Sequence, residues 1–194
     1  MRATIILLAL PLAGCISFGA SPPPSLLTLE SRASVPVGEV RRVEGAGAVT
    51  ILSFAVPQAL ATPRVPVQAT PTSIAYVPDA QWAEPPARLF AKLVGDTVAA
   101  RTGRVVFQTG QTVADPGARL GGELRAFGLD ATTREGVVTF DAQLVRGEGQ
   151  AVEKRRFEAR VGLAGEIDAT TAAASLNDAA NRVATEVAEW VGAR

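Results

Sequence analysis

Three long runs in the second half of the chain, roughly Arg119–Ala131, Gly136–Arg146 and Ala151–Gly162, constrain its architecture more than any other feature. In the second run Val138, Phe140, Ala142 and Leu144 recur with a period near two, and in the third Val152, Phe157, Ala159 and Val161 do much the same. That period belongs to strands with one buried and one wet face. The connections Thr132–Glu135 and Gly147–Gln150 are of hairpin length. The three runs therefore predict an antiparallel meander, and its apolar face needs a cover.

Two helices can supply it. Glu84–Arg101 opens with Pro85 and Pro86, which a first helical turn tolerates, and Gly103 follows in the usual C-terminal role. Leu89, Phe90, Leu93, Val94, Thr97 and Val98 recur at three- and four-residue steps and read as a core-facing stripe, the other reading being a docking face. Asp168 can cap a last helix running to about Val191. Its stripe is Ala172, Leu176, Ala179, Val183, Val187 and Trp190, with Asn177, Asp178, Arg182, Glu186 and Glu189 off it. The expected fold class is α+β: a mostly antiparallel or mixed β-sheet with a C-terminal β-meander and two amphipathic helices packed on one face.

The first half predicts shorter strands at Ser25–Glu30, Ala48–Phe54, Ser73–Val77 and Val105–Gln108, the third closed by a Pro78-Asp79 turn. Ser34–Ala46 is polar, and 109–117 is a loop. Val56–Pro71 carries Pro57, Pro63, Pro66 and Pro71, so it is expected to be an extended, edge-like excursion rather than a central strand or a helix. Gly121-Gly122 reads as easing a strand bend, because no helix start follows to make it a phosphate loop. Lys154-Arg155-Arg156 reads as a solvated strand edge, with contact to lipid headgroups as the alternative.

The beginning of the chain says where the protein works. Arg2 precedes a mostly apolar run, Ala3–Leu12, which ends in Leu12-Ala13-Gly14 and then Cys15, the sole cysteine of 194 residues. As a helix that run would span only about 15 Å, against roughly 30 Å of hydrocarbon. It is too short for a permanent transmembrane helix and reads as a secretory signal peptide. Small residues directly before a cysteine form a lipobox-like pattern, in which the thiol is alkylated by a diacylglyceryl group and the amine is then freed. Cys15 is the expected lipid-attachment site, and acyl chains contributing about 0.8 kcal/mol per buried methylene would hold the protein on a membrane. The following residues, rich in Pro and small side chains, read as an extended tether.

Composition narrows the chemistry. With 19 basic and 19 acidic side chains the formal charge is zero, and losing Arg2 makes it about −1. No basic stripe suits nucleic acid. The chain contains no histidine, which removes Ser-His-Asp and Cys-His nucleophile systems and any His-ligated metal site. No carboxylate pair stands out as an acid/base dyad. The expectation is a protein that is not an enzyme, with no catalytic residues, no metal and no cofactor.

The remaining segment of interest is Tyr76–Pro86, YVPDAQWAEPP. Trp82 lies just before a Glu-Pro helix start, the position of a hydrophobic staple, and Glu84 suits the helix dipole. Two readings stand: Trp82 locks the helix entrance onto the sheet, or the segment meets a partner through Tyr76, Gln81, Trp82 and Glu84.

The run Leu60–Val98, with a strand ending in Tyr76, a short turn, the Gln81-Trp82-Ala83-Glu84 motif and an amphipathic helix, resembles the ABC-type transport auxiliary lipoproteins of the PqiC-like family. The lipobox, the early Leu27-Thr28-Leu29 segment and the later meander-plus-helix order fit as well. Gln81 stands where that family usually has Arg, and Pro86 where it often has Leu. The resemblance implies a non-enzymatic subunit of an Mce-type lipid transport system bridging inner and outer membranes. The implied partner is the periplasmic MCE-domain protein, and homo-oligomeric rings are a further implication. Ile16 after Cys15 points to the periplasmic side of the outer membrane.

The expected organisation is a signal peptide over 1–14, a lipidated cysteine and tether over 15–25, and one domain over 26–194. Readings of other classes stay open: a lipid- or lipoprotein-binding carrier that holds an acyl chain between sheet and helices, or a structural envelope-assembly lipoprotein.

Overall fold

The computed structural model describes residues 25–42, 47–111, 117–147 and 152–193. The signal segment and Cys15 lie outside the described residues. In chain order the strands are β1 (Val49–Ile51), β2 (Arg64–Thr70), β3 (Ser73–Gln81), β4 (Val106–Gln108), β5 (Ala118–Asp130), β6 (Glu135–Arg146) and β7 (Val152–Gly162). The helices are α1 (Pro86–Thr102) and α2 (Ala169–Gly192). Among the described residues the strands form one mixed sheet of seven, so the α+β expectation holds.

β5 is the axis of that sheet. One edge pairs antiparallel with β6 from Ala118↔Arg146 to Asp130↔Glu135, and β6 pairs with β7 along its length. The other edge is shared by two short parallel partners. β1 meets the start of β5 (Val49↔Ala118) and β2 meets its end (Val67↔Leu129). β4 adds to β1, and β3 adds to β2. The predicted meander is β5–β6–β7, almost residue for residue.

Three expectations in the first half are corrected. Val56–Pro71 is not an edge: β2 lies between β3 and β5. Proline should be barred there because it donates no ladder bond. However, β2 pairs with β5 only at Val67 and Gln68, and its register against β3 shifts between Arg64 and Pro66. Gly128 leaves the room needed, since a Cβ there would stand 2.5 Å from the Pro66 carbonyl oxygen. Likewise β3 does not stop at Pro78-Asp79. It passes through, with Asp79 at φ 54 absorbing the extra residues as an irregularity. Ser25–Glu30 is not a strand, because only Leu27 makes a bridge, to Trp82.

Both helices cover the same sheet face. Phe90 of α1 meets Phe140 edge-on at 5.4 Å between centroids, and the α2 stripe residues Ala172, Leu176, Ala179, Val183 and Val187 are fully buried. Asp168 caps α2: its carboxylate accepts from Thr171 N at 2.8 Å, and Thr171 Oγ1 returns to Asp168 N. α1 ends at Gly103 in the left-handed region, φ 70, a conformation that favours glycine. The carrier reading placed an acyl chain between sheet and helices. That layer is instead filled by Phe54, Phe90, Phe127, Phe140 and Leu176, each 6% exposed or less. Gly122 sits at φ 145 where β5 passes Asp141, and a Cβ would overlap the Asp141 carbonyl. This close approach is what Gly121-Gly122 provides.

Candidate functional site

The segment singled out in the sequence forms the corner where β3 hands over to α1. Trp82 N donates to the Pro63 carbonyl at 2.7 Å. The indole points inward, 1% exposed, with its ring edge-on to Phe127 at 5.3 Å. Its Nε1 is buried without a hydrogen-bond partner, as is Thr62 Oγ1. Trp82 therefore locks the helix entrance onto the sheet, and any surface the segment offers comes from its neighbours. Tyr76 is half-buried under the Arg64 guanidinium, 3.8 Å from the ring centroid. Gln81 is half-buried, and Glu84 pairs with Arg88 one helical turn on, at 3.2 Å.

The N-terminal segment docks on this corner. Leu27 N donates to Gln81 O and Ala83 N donates to Leu27 O, both at 2.8 Å. From there residues 28–42 run as a strap over both helices. Glu30 N donates to Asn177 Oδ1, Arg32 N to Asn181 Oδ1, and Asn181 Nδ2 to the Glu30 carbonyl, each at 2.9 Å. Two carboxamides one turn apart on α2 thus read the strap backbone as a neighbouring strand would. Arg32 also pairs with Asp178, Ser31 Oγ stands 3.4 Å from Thr97 Oγ1, and Arg41 donates to the Ala99 carbonyl. Beneath the strap, burial pushes the Asp96 carboxyl up, with Lys92 pulling the other way. Asn177 enters the sequence reading only as a polar position off the stripe, and Asn181 is not singled out. The available signal was their four-residue spacing, since asparagine is a poor helix former and needs a reason to recur mid-helix.

β7 carries Lys154-Arg155-Arg156, with Lys154 and Arg156 on the helix-free face of the sheet and Arg155 on the face of Phe157. Arg156 is bidentate to Asp141 at 2.6 and 2.7 Å, and Arg155 stacks over Phe157 at 4.8 Å. Hydrogen bonding to Arg156 holds the Asp141 carboxyl below the usual range. Arg160 and Thr139 do the same for Glu158. The cluster is tied largely into its own sheet. Among the described residues no group of three or more acidic, Cys or His side chains could hold a metal ion, and no helix is long and apolar enough to cross a membrane.

The geometry gives a rigid corner beside an N-terminal lead. Leu27 lies twelve positions after Cys15, a span of at most about 40 Å.

Residues 28–188 match the model of a family described as ABC-type transport auxiliary lipoprotein component. No curated protein matches the sequence significantly. A crystal structure of a DUF330-family protein, XCC0632 from Xanthomonas campestris, is similar at TM-score 0.71 and 19% identity, over 86% of this chain and 94% of that one. A second crystallised protein is similar at TM-score 0.66 and 14% identity, over 78% and 96%. A PelC dodecamer from Paraburkholderia phytofirmans is similar at TM-score 0.47 and 16% identity, over 80% and 96%.

Proposed function

Because the chain belongs to the ABC-type transport auxiliary lipoprotein family, we propose that it is the lipid-anchored periplasmic subunit of an Mce-type lipid transport system. In this reading Cys15 carries the acyl chains and Ile16 sends the protein to the outer membrane. The domain docks the MCE-domain protein of the inner-membrane transporter and does no chemistry of its own. Self-association into a ring is part of the same reading. The observation that carries it is the strap: the lead from Cys15 is clamped at Leu27 to the backbone of Gln81 and Ala83. Such a clamp keeps the Tyr76–Glu84 corner within about 40 Å of the anchor, which suits a bridging subunit.

The test is recovery of partners with the membrane-anchored protein. Isolation through Cys15-anchored chain should bring down an MCE-domain protein, and Cys15→Ser should leave the membrane fraction. Repeated recovery without any MCE-domain protein would remove the docking claim, while a Cys15→Ser chain that stays membrane-bound would remove the anchor.

A further inference from the structure

The face of the sheet without helices holds a concave apolar pocket of about 380 Å³, within the usual size of small-ligand sites. Its floor is Ala126 on β5 with Val137 and Thr139 on β6, and its walls are Leu60, Pro66 and Ile74. Val137 and Thr139 are only 9% and 7% exposed although no helix covers them. The 3-10 turn Gln58–Leu60 leans over them from the β1–β2 connection.

The polar groups around this floor are already satisfied. Thr139 Oγ1 donates to Glu158 at 2.9 Å, so the residue offers its methyl group. Arg160 is held by Glu158 at 2.9 Å, with Glu135 and Asp130 at 3.5 and 3.6 Å. Asp130 accepts from the backbone amides of Thr132 and Thr133. A polar ligand would find few partners inside, whereas apolar matter loses nothing on entry.

Arg125 is different. The β5–β6 register shifts between Leu124 and Ala126, which makes Arg125 the extra residue of a β-bulge. Bulges re-aim a side chain, and they recur beside functional sites. Here the bulge sets Arg125 at the lip of the pocket. Its guanidinium is about half exposed and forms loose ion pairs with Glu123 and Asp141, each at 3.6 Å, without a short hydrogen bond to either. Asp141 meanwhile is taken by Arg156.

From this geometry we infer that the pocket binds the aliphatic chain of an anionic amphiphile whose carboxylate or phosphate is met by Arg125. The site goes beyond the docking reading and does not depend on it. It also replaces the sheet–helix layer as the place where the fold accommodates an acyl chain.

The experiment titrates the full chain, in a Cys15→Ser background, with dansylundecanoate and separately with its neutral amide. Residues 1–24 then contribute the same background to every variant. The chain should bind both probes saturably. Arg125→Gln should weaken the carboxylate probe about tenfold or more, the scale of one lost charge-assisted hydrogen bond, and leave the amide unchanged. Ala126→Trp should abolish binding of both by filling the floor. Ile74→Arg, on an exposed wall, should do the same without touching the core if the Trp variant fails to fold. Displacement by palmitate or by lysophosphatidate identifies a fatty acid or a phospholipid as the source, and displacement by neither overturns the site. Equal binding of the carboxylate by Arg125→Gln, or parental binding by Ile74→Arg, overturns it too.

Discussion

Ser175 on α2 and Gly136 at the start of β6 are joined through one hydroxyl: Gly136 N donates to Ser175 Oγ at 3.0 Å, and the same hydroxyl donates to the Val161 carbonyl at 2.7 Å. A Cβ on Gly136 would overlap Ser175 Oγ. One buried side chain thus fastens the helix to two strands at the open end of the meander.

Ser175→Ala leaves a buried amide and a carbonyl without that partner, at a cost of about 1–3 kcal/mol. Gly136→Ala should cost more, since the added methyl drives the helix off the strand. Chemical denaturation midpoints with an unchanged slope would show both. A Gly136→Ala chain as stable as its parent would contradict the contact.

The strap should detach selectively. Asn181→Ala removes the groups that hold Glu30 O and Arg32 N. Amide exchange at residues 30–32 should then accelerate strongly while β5 and β6 keep their protection. Uniform acceleration across the sheet would mean that the strap is part of the core.

Trp82 and its neighbours should separate by readout. Trp82→Ala empties a buried site and should cost about 3–5 kcal/mol. Gln81→Ala and Glu84→Ala, at the surface, should stay within about 0.5 kcal/mol. If that corner meets the partner, the Gln81/Glu84 double variant keeps its Tm and loses partner recovery.

Acid should loosen the outer sheet face and the α2 start together. Thr171's amide holds the Asp168 carboxyl below its ordinary value, Thr133's amide does so for Asp130, and Arg156 and Arg160 do so for Asp141 and Glu158. With folded values depressed, their contribution is full above the ordinary carboxylate range, about pH 4, and is lost as pH falls through the lower folded values. Tm should therefore decline below about pH 4. Asp168→Asn should flatten part of that decline, while a pH-independent Tm in this range would contradict the assignments.

What could be read in the sequence was local. The meander, the α2 cap at Asp168 and the stop at Gly103 each rest on neighbours within a few residues, so period and capping chemistry identify them. The interior place of β2 could not be read, because it depends on Gly128, sixty-two residues beyond Pro66 (128 − 66), making room for a proline. The strap's partners on α2 are more distant still. In the candidate site, the place of Trp82 before the helix supplied one of the two readings offered for it, whereas the Arg125 bulge shows in β5 only as a change of phase from Leu120 and Leu124 to Phe127 and Leu129 and is defined by register against β6.

β1 and β2 both wait on β5. Neither can pair with β5 until residues 118–130 are available, so the β1–β4 pair and the β2–β3 hairpin cannot be joined into one sheet from the N-terminal half alone. Pairings that span such separations are slow to form, because loop closure precedes any gain. A chain threaded N-terminus first through a membrane would therefore stay open until its second half arrives. Late closure suits export of an unfolded chain, but it leaves the β5-facing edges of β1 and β2 open to mispairing for the whole of that interval.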